Sequence, residues 1–437
     1  METPSENAVP QRLKVLVIAY YFPPMGGSGV QRITKFCKYL PEFGWDPIVL
    51  TVDPHGYYAY DETLLAELGD ITVYRTPSHD VNRFFKKGQT IAMPSEQVRK
   101  KWSFLSSWTM IPDSKIGWKK EALEQGRKIL QEHDIDLIFS TAPPFTAHLV
   151  AMELSKESGI PFVADFREAW LDNSRLHFPT GRHREKHRAM ETEVATQATR
   201  ITTINRGIKE GLLQRHIGAD GYNTVQIIPH GYDPVDFPVK SRYMDGVMRF
   251  TYCGMFYDAQ KPDTFLSGLY HFFKRRPEAR KHVQAEFVGL TPAGAEQLAA
   301  TLKIEDNVVF HGYLPHQEAV QHMIRADVLW MTLGEQPHVE KMSTSKLYEY
   351  FGAQKPIIGL VPEGEEATMI RQYGASQVVP PDNDAAVSKA IEHDYELWRK
   401  NALPSPDPAF VEKFDRRLLT RDLSKIFTGI VMNLATY

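Results

Sequence analysis

The chain alternates short apolar runs with amphipathic segments along almost its whole length, and this restricts its fold more than any other feature. An apolar run of about four to eight residues reads as a strand buried on both faces, and apolar residues at i, i+3 and i+4 read as a helix packed across it. The first unit is residues 14–19 (KVLVIA), a strand, then 23–29 (PPMGGSG), a turn, then 30–40, a helix. Val30, Ile33, Phe36, Cys37 and Leu40 share one face of that helix, and Pro41 stops it. Further strands are expected at 47–51, 71–75, 135–140, 161–165, 200–203 and 224–228. A second series runs 249–253, closing on Gly254, then 285–288, 308–311, 328–331, 356–361 and 377–379.

Strands alternating with helices predict parallel sheets covered by helices. A stretch rich in Pro, Gly and Asp, 229–246, separates the two series. The fold class expected is α/β with two Rossmann-like domains, 12–236 and 247–409. A last helix, 410–437, follows a Pro-rich break and is expected to pack back on the N-terminal domain. Two such sheets should face each other across a cleft lined by the carboxyl ends of their strands, where ligands bind in open α/β folds. The length of 437 residues suits two domains or more at ~150 residues each.

Composition removes several classes of function. A net charge of −3 gives no overall basic field for non-specific nucleic-acid binding. Two distant cysteines, Cys37 and Cys253, argue against a disulfide framework and fit a reducing compartment. The polar start, METPSENAVPQ, reads as a short leader and not a signal peptide. No run approaches the ~18 apolar residues that span a bilayer. A cytoplasmic location is expected, with the inner face of the plasma membrane as an alternative.

Residues 343–358, STSKLYEYFGAQKPII, carry the clearest chemistry. They read as a loop, a short helix, a stop at Pro356 and a buried strand. A helix start after a small polar loop offers N–H groups and a positive dipole end to a phosphate. Leu347, Tyr350 and Phe351 form the core stripe, so Glu349 lies off it. From there its carboxylate could bind ribose hydroxyls; the plain alternative is a surface glutamate. The Gly26–Gly29 turn allows close backbone approach to a ligand, or is simply a strand–helix turn. It is not the spaced GxGxxG of dinucleotide binders, and no P-loop pattern occurs.

These phrases resemble the GT-B glycosyltransferases, specifically family four, retaining enzymes of bacterial surface polysaccharide and glycolipid synthesis. The resemblance runs through YYFPPMGGSGVQR, DLIFSTAPPFTAH, GIPFVADFREAW, IIPHGYD, FTYCGMFY, VVFHGYLPHQEAV and SKLYEYFGAQKPII. It implies that Glu349 binds the nucleotide ribose and that Ser343, Thr344, Ser345 and Lys346 hold the diphosphate. It further implies that Gly26 and Gly27 approach the donor and that Gly312 and Tyr313 lie against the base. Gly254 is grouped with these donor contacts, and Lys261 stands near the family's diphosphate lysine. Three positions depart from the pattern. Lys341 stands where the first glutamate of the E-x7-E motif would be, with Glu340 out of register. Met255 replaces an arginine. Arg167 replaces a histidine, forming with Asp165 and Glu168 a polar cluster at a strand end. Arg167 could clamp a phosphate or pair with Asp165. The chemistry is assigned to Asp165, Arg167, Lys261 and Lys346, with no metal or other cofactor.

The function expected is sugar transfer from a UDP- or GDP-sugar to a glycan or lipid-linked acceptor, retaining and metal-independent. A UDP-sugar epimerase or an inactive nucleotide-sugar binder are the alternatives. His183-x-Glu185-x-His187 reads as a solvated basic face rather than a metal site, and Asp134-x-Asp136 and Asp382-x-Asp384 as incidental. Residues 80–115 mix Phe84, Phe85, Trp102, Phe104, Leu105 and Trp108 with Lys86, Lys87, Arg99, Lys100 and Lys101. That mixture suits a membrane interface or, alternatively, a buried insertion with a charged rim.

Overall fold

The computed structural model describes residues 12–54, 60–79, 96–238, 245–257 and 259–432. The chain divides into two compact units. One holds the chain to Ile204, Ile208–Ile228 and the stretch from Arg417; the other holds Asn205–Gly207 and Pro229–Arg416. Among the described residues, the first unit has seven strands: β1 (Leu13–Ile18), β2 (Trp45–Val52), β3 (Thr72–Thr76), β4 (Leu137–Ala142), β5 (Phe162–Phe166), β6 (Arg200–Thr203) and β7 (Val225–Ile227). The second has six: β8 (Met248–Cys253), β9 (Val283–Val288), β10 (Val308–Gly312), β11 (Val328–Thr332), β12 (Ile357–Leu360) and β13 (Ser376–Val379). Both sheets are parallel, ordered β3-β2-β1-β4-β5-β6-β7 and β10-β9-β8-β11-β12-β13. Each expected strand is present, with ends within two residues of those expected.

Burial on both faces explains the unbroken apolar runs. Along β1, Leu16 and Ile18 enter one core, and Val15 and Val17 the other. The second core takes Ile33, Phe36 and Cys37 from the helix Ser28–Tyr39, and Leu423, Ile426 and Phe427 from the helix Arg416–Val431. Each such side chain contributes roughly 1.5–3 kcal/mol when fully buried.

Two expectations need correction. The last helix is not continuous from 410: Pro408–Glu412 and Arg416–Val431 are separate. Asp407 caps the short helix at Ala409. Phe410 and Phe414 pack on Phe351, and Tyr232 bridges to Asp415, so residues up to Arg416 go with the second unit. The basic-aromatic stretch is not a buried insertion in its described part. Its first half, with Phe84, Phe85, Lys86 and Lys87, lies outside the described residues. On the helix Glu96–Ser106, Trp102 is 63% exposed and Leu105 61%.

Each strand order reverses once, between β1 and β4 and between β8 and β11. Chain leaving these neighbours turns in opposite directions, which opens a crevice at their carboxyl ends. Below the first of these points, Arg32 of the Ser28 helix meets Asp165 of β5. Arg32 donates to both carboxylate oxygens, at 3.1 and 2.9 Å. Thr141 and Thr202 add hydroxyl bonds at 2.8 Å each. Burial alone would raise the Asp165 carboxyl, but Arg32 and the two threonines outweigh it and hold it below its ordinary value. Asp165→Ala leaves the Arg32 guanidinium buried without its carboxylate. It is expected to cost about 3–5 kcal/mol, read as a lower urea midpoint with an unchanged m-value.

Candidate functional site

In the first unit, the turn after β1 and the loop after β4 meet beneath one guanidinium. Arg167 donates to the Gly29 carbonyl at 3.0 Å and the Pro143 carbonyl at 2.5 Å. A Cβ at Gly29 would lie 2.8 Å from the Arg167 guanidinium, so the glycine permits the contact. Gly27 has φ +98°, a conformation glycine accepts without strain. Arg167 is thus a positioning residue that shapes the Gly26–Gly29 turn. Asp165, saturated by Arg32, Thr141 and Thr202, is a structural carboxylate and not a reacting group. Glu168 bonds Asn173 at 2.8 Å.

In the second unit, the helix Ser345–Ala353 is fixed at the reversal between β8 and β11. Tyr350 Oη accepts the Cys253 N–H at 2.9 Å and donates to the Trp330 carbonyl at 3.0 Å. Leu347, Tyr350 and Phe351 are buried, as the core stripe requires. Lys346 then crosses the end of β8. Its ammonium bonds the Tyr252 hydroxyl and lies 3.7 Å from the Tyr252 ring centre and 5.9 Å from that of Phe256. Burial against these rings lowers Lys346 to about 7. Gly254, at φ +133°, lies directly under it, where a Cβ would come within 2.7 Å of Lys346 Cε. A Cβ at Gly289 would lie 2.1 Å from the Gly254 carbonyl oxygen. Gly289 in turn donates to the Gly312 carbonyl at 2.7 Å. The ends of β8, β9 and β10 therefore close on one another through three glycines.

One turn beyond Lys346, Glu349 Oε1 lies 3.1 Å from His316 Nε2, at the start of the helix His316–Arg325. Burial would lower His316, but Glu349 reverses this and raises it. Glu349 keeps part of its side chain exposed. Tyr313 follows Gly312, half-buried.

The start of the Ser345 helix differs from the expected phosphate cradle. Glu366, buried, accepts from Thr344 N at 3.2 Å and Thr344 Oγ1 at 2.5 Å. Ser343 Oγ lies 3.2 Å from Tyr348 Oη. A protein carboxylate thus takes the Thr344 amide, and Thr344 leaves the set of donor contacts. Lys261 is exposed on the loop after β8, and among the described residues no hydrogen bond or ion pair joins it to Lys346. Lys341 packs its stem on Gly207 and accepts from Asn205 through its carbonyl.

His316, Glu366, Tyr252 and Gly289 escaped the sequence reading. Gly289 repeats the strand-then-glycine pattern of Gly254 and was legible. Glu366 reads locally as a first-turn acid of its own helix, so nothing local shows that it caps another. His187 is a further correction: it is buried and accepts from Trp170 Nε1 at 3.1 Å, so the 183–187 pattern is neither a metal site nor wholly solvated.

No protein-family model matches this chain, and no curated protein matches its sequence. Solved structures do match it in fold. A sucrose-phosphate synthase from Thermosynechococcus elongatus aligns with a TM-score of 0.66 at 13% identity, covering 97% of this chain and 100% of its own. HepE from Anabaena, in complex with UDP and glucose, aligns at 0.64 and 13% identity, covering 96% and 100%. A glycosyltransferase from Rickettsia africae aligns at 0.63 and 13%, covering 97% and 99%. The fold is GT-B, built from two Rossmann-like domains.

Burial raises the Glu366 carboxyl from 4.5 to about 7, against its bonds to Thr344. The folded protein then holds a proton the unfolded chain has lost, so stability falls as pH rises from 4.5 to 7. The term is of order 3 kcal/mol. Glu366→Gln should flatten the fall in melting temperature across that window; an unchanged slope would assign it elsewhere.

Proposed function

We propose that this chain is a glycosyltransferase that moves a sugar from a UDP- or GDP-linked donor to a glycan or lipid-linked acceptor, with retention at the anomeric carbon. The observation that carries the reading is the first turn of the Ser345 helix. It sets Lys346 over Gly254 at a strand-order reversal, with the partly exposed Glu349 one turn on. That geometry offers a cation and a close backbone approach to a diphosphate, and a carboxylate to a ribose. HepE, which shares the fold, was solved with UDP and glucose.

In this reading Lys346, held near 7 by burial, gains its full charge as the diphosphate arrives and stabilises it as leaving group. The leaving phosphate assists deprotonation of the acceptor hydroxyl, and transfer needs no divalent metal. Lys341 in place of a glutamate makes the donor sugar the least constrained part.

Calorimetric titration with UDP, GDP and ADP, paired with turnover of each sugar nucleotide, tests this. Binding of none of the three would sink it. Turnover without acceptor would favour an epimerase, and binding without turnover an inactive binder. Glu349→Ala should weaken nucleotide binding about tenfold or more, as loss of charged hydrogen bonds implies, with the fold intact.

A membrane-bound acceptor is favoured by the first unit's surface. Trp102, Phe104, Leu105 and Trp108 are exposed, as is Lys101. Trp108 packs 5.5 Å from His183 on the helix Gly181–Gln197, whose Arg182, Arg184, Lys186 and Arg188 are exposed. Aromatic rings beside cations suit an anionic bilayer surface. No described helix is long and apolar enough to cross a membrane. Co-sedimentation with anionic vesicles is expected, and Trp102→Ala with Leu105→Ala should reduce vesicle affinity about a hundredfold or more, the two side chains losing roughly 3–6 kcal/mol of burial. Failure to pellet with the vesicles would remove the membrane contact.

A further inference from the structure

The second unit holds a cluster that the donor reading does not use. Glu286 of β9, His311 of β10 and His322 of the helix His316–Arg325 converge on the sheet face under that helix. One ligand atom from each lies within 4.8 Å of the other two. His322 Nδ1 is 2.9 Å from Glu286 Oε2, and His311 Nε2 is 3.6 Å from the same oxygen. The His311 and His322 ring centres are 4.3 Å apart.

Hydrogen bonding accounts for only part of this arrangement. Glu286 Oε2 bonds His322, while the buried His311 Nε2 stands 3.6 Å from the same oxygen, too far for a well-formed hydrogen bond. A buried polar atom left so is destabilising. The backbone makes the placement a built feature. The β9–β10 register shifts between Phe310 and Gly312, so His311 is the extra residue of a bulge. Bulges re-aim side chains next to functional sites. Arg249 Nε lies 3.3 Å from the other carboxylate oxygen, Oε1, and its guanidinium is also paired with Asp245. Arg249 thus orients Glu286 and leaves Oε2 to face the imidazoles.

We propose that Glu286 Oε2, His311 Nε2 and His322 Nδ1 bind a divalent transition-metal ion of the zinc class. Two imidazoles and one carboxylate are a borderline-soft donor set that favours Zn²⁺ over Mg²⁺ or Ca²⁺. Ligand atoms around a tetrahedral zinc stand about 3.3 Å apart, given bonds near 2.0–2.1 Å. Two of the separations here, 2.9 and 3.6 Å, bracket that value. Three protein ligands leave a fourth position for water, and both histidines keep a partly exposed edge. The ion would pin the His316 helix to the edge strand β10. It would lie apart from the residues of the transfer reading.

The test uses the full chain without a histidine tag, dialysed against chelator and then titrated with Zn²⁺ in a calorimeter. One equivalent should bind, raise the melting temperature and, with Co²⁺ substituted, give the visible d–d bands of a low-symmetry site. His311→Gln and His322→Gln should each weaken Zn²⁺ binding by about tenfold or more and abolish the thermal shift. Far-UV circular dichroism of the metal-free variants separates lost ligation from lost folding. Zn²⁺ binding of equal strength in folded variants, or no saturable binding to the parent chain, overturns the site. No nucleotide enters the test, so it is decided apart from the donor reading.

Discussion

A parallel strand can neighbour another only after the chain has crossed back over the sheet, and nearly everything functional in this protein follows from that constraint. Every strand in a sheet delivers its carboxyl end to the same edge. The helices that return the chain cover both faces, so the strands are largely apolar, and the polar residues they do carry, such as Asp165 of β5 and Glu286 of β9, are held by specific partners. Loops at the carboxyl edge and helix starts carry much of the remaining polar chemistry. In both units the order reverses once, and there the flanking loops diverge. The Gly26–Gly29 turn stands at one reversal, and Gly254 with Lys346 at the other.

Burial sorts the polar groups near these edges into roles. Asp165 and Arg32 are enclosed and fully bonded to each other and to threonines, which makes them a brace. Lys346 is enclosed by aromatic faces with a phenol as hydrogen-bond partner, which leaves its charge poorly compensated and its proton loosely held. Glu366 is enclosed, its donors from Thr344 and Ser343 do not offset burial, and it keeps its proton towards neutrality. The same physics makes one carboxylate structural and leaves one ammonium poorly compensated. Distance in sequence does not separate these cases; the partners do.

Much of the fold was legible because its signal is local. Apolar runs bounded by Gly and Pro located the strands, and the i, i+3, i+4 stripe placed Leu347, Tyr350 and Phe351 in the core and Glu349 off it. The strand-end glycines were legible in kind, although Gly289 was passed over. Reading failed where a side chain's partner lies far along the chain. Asp165 looked like a site residue because its strand end is right, but Arg32 is 133 positions away. Thr344 looked like a phosphate contact because its helix start is right, but Glu366 fills it from another helix. The final helix looked continuous because no proline interrupts it after Pro408, yet Phe410 and Phe414 find partners in a different core from Leu419, Leu423 and Phe427.

The alternation of segments, the glycine-ended strands and the STSKLYEYF helix were determined by sequence alone, since each rests on neighbours within a turn or two. Tertiary structure decided which charges face one another. It paired Arg32 with Asp165, set Glu366 on Thr344 and His316 on Glu349, and gathered Glu286, His311 and His322 from three elements. The reason is physical: a backbone pattern is set by local sterics and hydrophobic period, whereas the state of an ionisable group depends on the few ångströms around it, which only the packed chain supplies.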